Sequence, residues 1–388
     1  MSVGEALARA RSLAPAMSFE TVPVPEAAGR VLAEDVRAGR DLPPVTSSAM
    51  DGWAVRAADT PGALTAMGES AAGHPLRLPF EAGWAVAIST GAALPGGADA
   101  VARREITRVE GTAVHVDEAV AAGRDVRRQG ETLRAGAVLL TRGHRVAAHE
   151  VGALGAIGRA TVLCARRPRV AILSSGAELI PLGAIARPED VHDSSRHGLT
   201  AQAEAAGALV VASVSVGDDL DATAAALAAL LDAPGERRPD VVVTNGGISV
   251  GAHDHVRPAL ARLGVEEVVG GIRATPVHPT YLGRRGDQVV LGLPGNFASG
   301  AVAFHLMGRP LLGATEDWWR RAPLTAGVRM RPGRAALLRC VEGPDGLTPR
   351  PDQGSHAVTS LAGATALAWV GEDDDGAQGS IVPFSRLS

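Results

Sequence analysis

Three short turns carry residue types suited to anion chemistry: Ser174-Ser175-Gly176, the run Thr244-Asn245-Gly246-Gly247-Ile248-Ser249-Val250-Gly251, and Gly292-Leu293-Pro294-Gly295-Asn296. Glycine lets backbone N–H groups approach an oxyanion, and a helix starting after such a turn adds the positive end of its dipole. One such turn is ordinary turn chemistry; three of them, each after an apolar strand-like run, point to a phosphate-bearing ligand. None fits the dinucleotide G-x-G-x-x-G or the Walker pattern, which disfavours an ordinary dehydrogenase or NTPase. Carboxylates stand beside the same turns: Glu178, Asp193, Asp218 and Asp254. Two or three of these could hold Mg²⁺ against a phosphate, because a hard cation takes oxygen ligands and keeps water. The competing readings are local: Asp218 and Asp219 as helix caps, Asp193 as an acid that orders its loop. His253, His255 and His278 lack the spacing of a transition-metal site, since the first two are neighbours in a loop and no HxxxH pair supports them.

Composition narrows the chemistry further. The chain has 388 residues, 46% hydrophobic and 21% charged, with a formal net charge of −4. That is enough apolar material for packed cores, and it gives no broad basic surface for nucleic acid. No apolar run is long enough for a membrane helix, and Met1 to Ser18 lacks the pattern of a signal peptide, so a soluble cytoplasmic protein is expected. Only two cysteines occur, Cys164 and Cys340, which excludes a cysteine-rich zinc site, an iron–sulfur cluster or a disulfide framework. All 38 basic residues are arginine, so Schiff-base and P-loop lysine chemistry are impossible.

The elements that must position these groups can be read from periodicity. Apolar residues at helical spacing open the chain from Val3 to Leu13, and Glu26 to Val36 reads as a second helix. Asp41-Leu-Pro-Pro then interrupts regular structure, and Trp53 to Gly143, rich in Gly, Pro and short β-like pieces, reads as an inserted, mostly β domain. From Arg169 onward, short apolar strands at Val170–Leu173, Leu209–Val216, Val241–Thr244 and Val289–Leu291 alternate with helical runs at 198–206, 219–231, 255–263 and 298–312. Strands apolar on both faces, alternating with helices, imply a doubly wound parallel sheet. In such a sheet the ligand crevice lies at the strand C-termini, where the three turns fall. The remainder reads as a small β-barrel or sandwich, with Glu372-Asp-Asp-Asp as a solvated turn. The overall expectation from these patterns is a multidomain α/β chain with an inserted mostly β segment, an α/β portion from Arg169 and a small β segment over 316–388.

The ordered series Ser48-Ala-Met-Asp-Gly-Trp-Ala-Val, Ile88-Ser-Thr-Gly-Ala-Ala-Leu-Pro-Gly-Gly, Gly123-Arg-Asp-Val-Arg-Arg-Gln-Gly-Glu, Pro168-Arg-Val-Ala-Ile-Leu-Ser-Ser-Gly-Ala-Glu-Leu, Gly246-Gly-Ile-Ser-Val-Gly, Leu293-Pro-Gly-Asn and Gln353-Gly-Ser-His resembles the MoeA/gephyrin-type molybdopterin molybdenumtransferases. The resemblance runs over nearly the whole chain. It implies four domains, 1–44 with 144–167 as an elongated α+β N-terminal domain, 45–143 inserted and mostly β, 168–315 a molybdopterin-binding α/β domain and 316–388 a C-terminal β-barrel. It also implies a homodimer with its active cleft shared between subunits and small-molecule substrates, with other cofactor-synthesis proteins as further partners. The implied reaction inserts molybdate into adenylylated molybdopterin with Mg²⁺ and releases AMP. The sulfur ligands belong to the substrate, in keeping with the lack of a cysteine cluster.

By the same resemblance, Asp51, Thr90, Glu178 and Asp254 are catalytic candidates, with Asp51, Glu178 and Asp254 at the metal. Ser175, Gly176, Asp218, Gly246, Gly247, Ser249, Pro294, Gly295, Asn296 and Arg127 fall on the substrate and phosphate loops. Asp51 has a structural reading as well, since a short acid before Gly can order its own turn. The chain departs from the family at Ala177, Thr132, Ala252 and Phe297. It also lacks both lysines of the family's Lys-Pro-Gly-Lys-Pro segment, here Thr275-Pro-Val-His278-Pro279. Losing a cation beside a phosphate costs about 2–5 kcal/mol, or about thirty-fold to several thousand-fold in rate, unless Arg257 or Arg273 replaces it. The alternative implied by these departures is a pterin-nucleotide-binding or scaffold protein without turnover.

Overall fold

Along the strand Arg169–Ser175, successive side chains point to opposite faces of the sheet, and both faces are buried. Val170 and Ile172 pack with Leu199, Ala203 and Val302 on one side, while Ala171 and Leu173 pack with Leu227, Leu230 and Val256 on the other. That two-sided burial is the reason the strand reads as an unbroken apolar run. The structure, a computed structural model, describes every residue except 250, 252–253, 315–317, 319 and 388. It divides into one unit made of residues 1–18 and 166–388, and a second of residues 19–165.

The first unit is built on a six-stranded sheet in the order Leu209–Val216, Arg169–Ser175, Val241–Asn245, Gln288–Leu293, Tyr281–Arg285, Glu266–Val269. The first four strands are parallel, and the last two join antiparallel at one edge. The α/β expectation holds, with an antiparallel edge that the sequence reading left out. Helices Ser194–Ala205, Leu220–Leu231 and Val256–Arg262 make the connections, and Phe297–Ala303 continues through a π turn at Phe304–Gly308. Asp219 caps Leu220–Leu231 by accepting from the Ala222 N–H at 2.7 Å, as its spacing predicts. Chain order and spatial order diverge beside Arg169–Ser175: the next parallel strand lies on one side of it and the following one on the other. This is the topological switch point, where a crevice opens at the strand C-termini.

The C-terminal strands Ala335–Gly343, Ala366–Val370, Ile381–Arg386 and Arg320–Pro323 pair in that order, and Gly346–Pro349 pairs back on the first of them. A bridge between Leu324 and Leu347 closes the ring, so the segment is a small barrel around Leu338, Cys340, Val370 and Phe384. The acidic run is a turn: Asp374 accepts from the Gly371 N–H at 2.8 Å, and Asp375 accepts from the Ala377 N–H at 2.9 Å.

The second unit holds a six-stranded sheet in the order Ala100–Arg103, Gly52–Val55, Trp84–Ile88, Gly62–Ser70, Ala113–Val116, Thr107–Glu110. Its chain ends meet in a two-stranded ladder, Phe19–Pro23 against Thr161–Ala165, with Phe19 opposite Ala165. The helix expected over Glu26 to Val36 does not form. The Leu32 N–H donates to the His144 carbonyl and the Ala33 N–H to the Leu163 carbonyl, both at 2.9 Å, so these amides bond across the chain instead of along it. Gly29, with φ near +77°, further interrupts the segment.

Candidate active site

A groove of about 650 Å³ opens at the switch point of the first unit. The turn after Arg169–Ser175 supplies Ser175, Gly176 and Glu178; the turn after Val241–Asn245 supplies Gly246, Gly247, Gly251 and Asp254; the turn after Gln288–Leu293 supplies Gly295 and Asn296. Asp218, before the helix Leu220–Leu231, completes the acidic lining. The three turns separated in sequence therefore share one cavity.

Local chemistry locks them together. The Asn245 side-chain amide donates to the Pro294 carbonyl at 2.6 Å, and the Gly246 N–H donates to the Leu293 carbonyl at 3.1 Å. Gly246 has φ near +84°, and a Cβ there would stand 2.6 Å from the Ser175 carbonyl oxygen. Only glycine permits both that backbone and that approach. The Asp254 carboxylate accepts from the Gly251 N–H at 2.8 Å, closing its loop on itself.

Two helix N-termini face the groove. Ser194 and Ser195 open one helix and line the groove, and Asn296 precedes the other. Asp193 is not a groove ligand: it is 2% exposed, accepts from the Arg196 N–H at 3.0 Å and pairs with the Arg196 guanidinium. Its loop-ordering reading is the correct one. Asp218 lines the groove, while the capping belongs to its neighbour Asp219.

The electrostatic character of the groove is mixed. Helix N-termini favour anions, whereas Glu178, Asp218 and Asp254 repel them. No arginine is among the described lining residues. Arg257 pairs with Glu267 at 2.6 Å and lies over the Tyr281 ring, and Arg273 pairs with Glu372 at 3.2 Å. Neither replaces the absent lysines in the lining. Nor does His278, whose Nδ1 lies 2.9 Å from the Ile272 carbonyl.

The donor set suits a hard cation without caging it. Carboxylate oxygens are present, yet among the described residues no three acidic or histidine side chains form a metal cluster by themselves. Mg²⁺ is commonly held by one or two carboxylates together with water and substrate phosphates. Glu178 and Asp254 fit that arrangement. Of the histidines considered for a transition metal, His253 lies outside the described residues, as does the departure at Ala252.

Ser249 is exposed and stands outside the lining, and Pro294 contributes its carbonyl to Asn245. His192, His356, Val358 and Phe297 line the groove without having been candidates. His356 had a signal, because it ends the Gln353-Gly-Ser-His run. That loop is held by buried Arg339, whose guanidinium donates to the Gly354 carbonyl and the Ser360 hydroxyl, both at 3.0 Å. Gln353 brackets the Arg339 backbone, accepting from its N–H and donating to its carbonyl.

Asp51, Thr90 and Arg127 belong to the second unit. Asp51 precedes the strand Gly52–Val55, and a Cβ on Gly52 would strike the Ala102 carbonyl at 2.1 Å, so the Asp-Gly pair is sterically fixed. One Asp51 carboxylate oxygen accepts from the Thr90 N–H at 2.7 Å and the Thr90 hydroxyl at 2.9 Å. The amide, then the hydroxyl, hold the Asp51 carboxyl below its usual range. Arg127 is exposed on Val126–Arg127, paired with Ser47–Ser48.

Comparison with known proteins gives a consistent result. Residues 1–158 match the MoeA N-terminal region (domain I and II), and residues 171–314 match a probable molybdopterin binding domain. The chain is 33% identical to molybdopterin molybdenumtransferase 2 of Mycobacterium tuberculosis, over 91% of each sequence. It is 30% identical to the molybdopterin molybdenumtransferase of Bacillus subtilis, over 94% of this chain and 89% of that one. The solved molybdopterin biosynthesis MoeA protein of Pyrococcus horikoshii superposes with a TM-score of 0.82 at 28% identity, covering 100% of this chain and 98% of that one. With the switch-point groove and its acidic turns in place, this protein belongs to the MoeA family of molybdopterin molybdenumtransferases.

Proposed function

We propose that the chain inserts molybdenum from molybdate into adenylylated molybdopterin and releases AMP, as a step of molybdenum cofactor synthesis. The observation that carries this reading is the convergence of three glycine turns, two helix N-termini and the carboxylates of Glu178, Asp218 and Asp254 on one groove. The backbone N–H of Gly247 and the first turn at Ser194 and Ser195 would grip the phosphates, while Gly246, its own N–H given to the Leu293 carbonyl, shapes the turn. Ser175, Gly176, Gly295 and Asn296 shape the same wall. Glu178 and Asp254 would hold Mg²⁺, which when bound neutralises charge on the bridging phosphates as the anhydride is cleaved. Asp51 is assigned to the same reaction as an acid whose pKa is held below its usual range, with Thr90 as the residue that orients it. Arg127 is assigned to substrate oxyanions, and Ser249 and Pro294 to the phosphate loops.

We further read the protein as a cytoplasmic homodimer of chains with four domains, 1–44 with 144–167, 45–143, 168–315 and 316–388. No helix among the described residues is long and apolar enough to cross a membrane. A second reading, pterin-nucleotide binding without turnover, is favoured by one observation: no arginine or lysine lines the described groove. Purified protein mixed with adenylylated molybdopterin, Mg²⁺ and molybdate separates the two. Multiple turnovers of AMP support the transferase; tight binding with no AMP supports the second reading.

A further inference from the structure

A second cavity, of about 270 Å³, lies in the first unit and has no part in the reaction proposed above. One wall is a single helical stripe, Phe297, Ala301, His305 and Arg309, each four positions after the last. The stripe passes through the π turn Phe304–Gly308, an irregularity that occurs often at functional sites. Gln202 and Ala205 of the helix Ser194–Ala205 face it, with Leu361 and Ala364 from the C-terminal segment. The alanines leave the volume open, while Phe297 and Leu361 make its walls apolar.

Its charge is unusual. His305 is 4% exposed, and its Nε2 lies 2.8 Å from the Ser385 hydroxyl. Burial, with a smaller contribution from the nearby Arg309 cation, pushes its pKa down to about 3, so it is neutral at ordinary pH. Among the described lining residues Arg309 is then the one permanent charge. Its Nε is buried and makes no hydrogen bond among the described residues. A buried donor left without an acceptor costs about 1–3 kcal/mol, and a carboxylate is the acceptor that suits a guanidinium best.

We propose that this cavity binds a small carboxylic acid with an apolar body, its carboxylate on Arg309 and its body against Phe297, Ala301 and Leu361. The volume falls just under the ~300–1,000 Å³ of most ligand pockets, which limits the ligand to roughly one ring. Phe297 also lines the groove, so one side chain touches the contents of both spaces.

The probe is phenylacetate, titrated into the full-length chain by calorimetry, with phenylacetamide as its uncharged counterpart. One molecule of the acid binds per chain, and the amide binds about tenfold or more weaker, as expected for loss of a charged hydrogen-bond partner. Arg309→Gln removes the preference for the acid and leaves amide binding in place. Ala364→Leu, a half-buried position with room for the larger side chain, fills the cavity and weakens both. Equal affinity for acid and amide, acid binding unchanged in Arg309→Gln or Ala364→Leu, or no binding at millimolar phenylacetate each overturns the proposal. If Arg309→Gln does not fold, the acid-to-amide ratio of the unmodified chain and the Ala364→Leu variant decide it.

Discussion

Thr90 gives both of its donors, the backbone N–H at 2.7 Å and the side-chain hydroxyl at 2.9 Å, to a single carboxylate oxygen of Asp51. With its one proton committed, the Thr90 hydroxyl is not free to donate to a substrate oxyanion; it fixes where the Asp51 charge sits. The folded pKa of Asp51 is lowered, so its contribution to stability is present above the ordinary carboxylate pKa and is lost as pH falls through the depressed value. Thr90→Ala keeps the amide donor and loses the hydroxyl, so the Asp51 pKa moves part of the way back toward 3.8. A carbon-13 NMR titration of the Asp51 carboxyl reads this directly, and an unmoved titration midpoint would show that the hydroxyl does not hold the charge.

Asp51→Asn preserves the acceptor geometry and removes the charge. AMP release is expected to fall about a hundredfold, with the thermal midpoint only slightly lowered because the side chain is exposed. Turnover equal to that of the parent chain would reduce Asp51 to a turn-ordering residue.

Glu178→Gln and Asp254→Asn test the cation assignment. Each is expected to raise the Mg²⁺ concentration for half-maximal AMP release by about tenfold or more. An Mg²⁺ dependence left where it was in both variants would mean that the cation is held elsewhere.

Gly198 and Phe297 are a steric pair: a Cβ on Gly198 would stand 2.3 Å from the Phe297 ring. Gly198→Ala is therefore destabilising by about 1–3 kcal/mol as overpacking, and less so when Phe297 is replaced by leucine. Denaturant unfolding of the two single variants and the double variant measures the coupling. Additive effects would mean that the ring moves aside without cost.

His305 supplies a pH signature. Its pKa is about 3 in the folded protein and 6.5 when exposed, so the unfolded chain binds an extra proton between these values. Stability from this group is whole above about pH 6.5 and declines as pH falls toward 3, at up to about 1.4 kcal/mol per pH unit. His305→Gln should flatten that part of the stability curve, compared by denaturant titration at pH 7 and pH 5. Parallel curves would assign the acid sensitivity to other groups.

What the sequence disclosed, it disclosed through periodicity and turn chemistry. Leu209–Val216 and the cap at Asp219 are local signals, and both stand as read. The three glycine turns were legible because strand ends in such a sheet must share one edge. Tyr281–Arg285 and Glu266–Val269 were not, because their charged and glycine-containing runs owe strand structure to an edge partner. Glu26 to Val36 failed for the complementary reason: its apolar spacing is helical, while its amides find partners at His144 and Leu163. His192 and Val358 in the groove wall depend on distant segments meeting, which no local pattern encodes. The engagement of Arg257 by Glu267 is likewise a tertiary fact.

The second unit leaves and re-enters the chain at one spot. Phe19 lies opposite Ala165 in its ladder, and next to them the Arg166 N–H donates to the Ser18 carbonyl at 2.8 Å. An excursion of this kind can be excised and the cut ends spliced by a linker of a few residues. The shortened gene product would retain the switch-point crevice and its three turns, and the excised piece could be made as a separate polypeptide for reconstitution in trans.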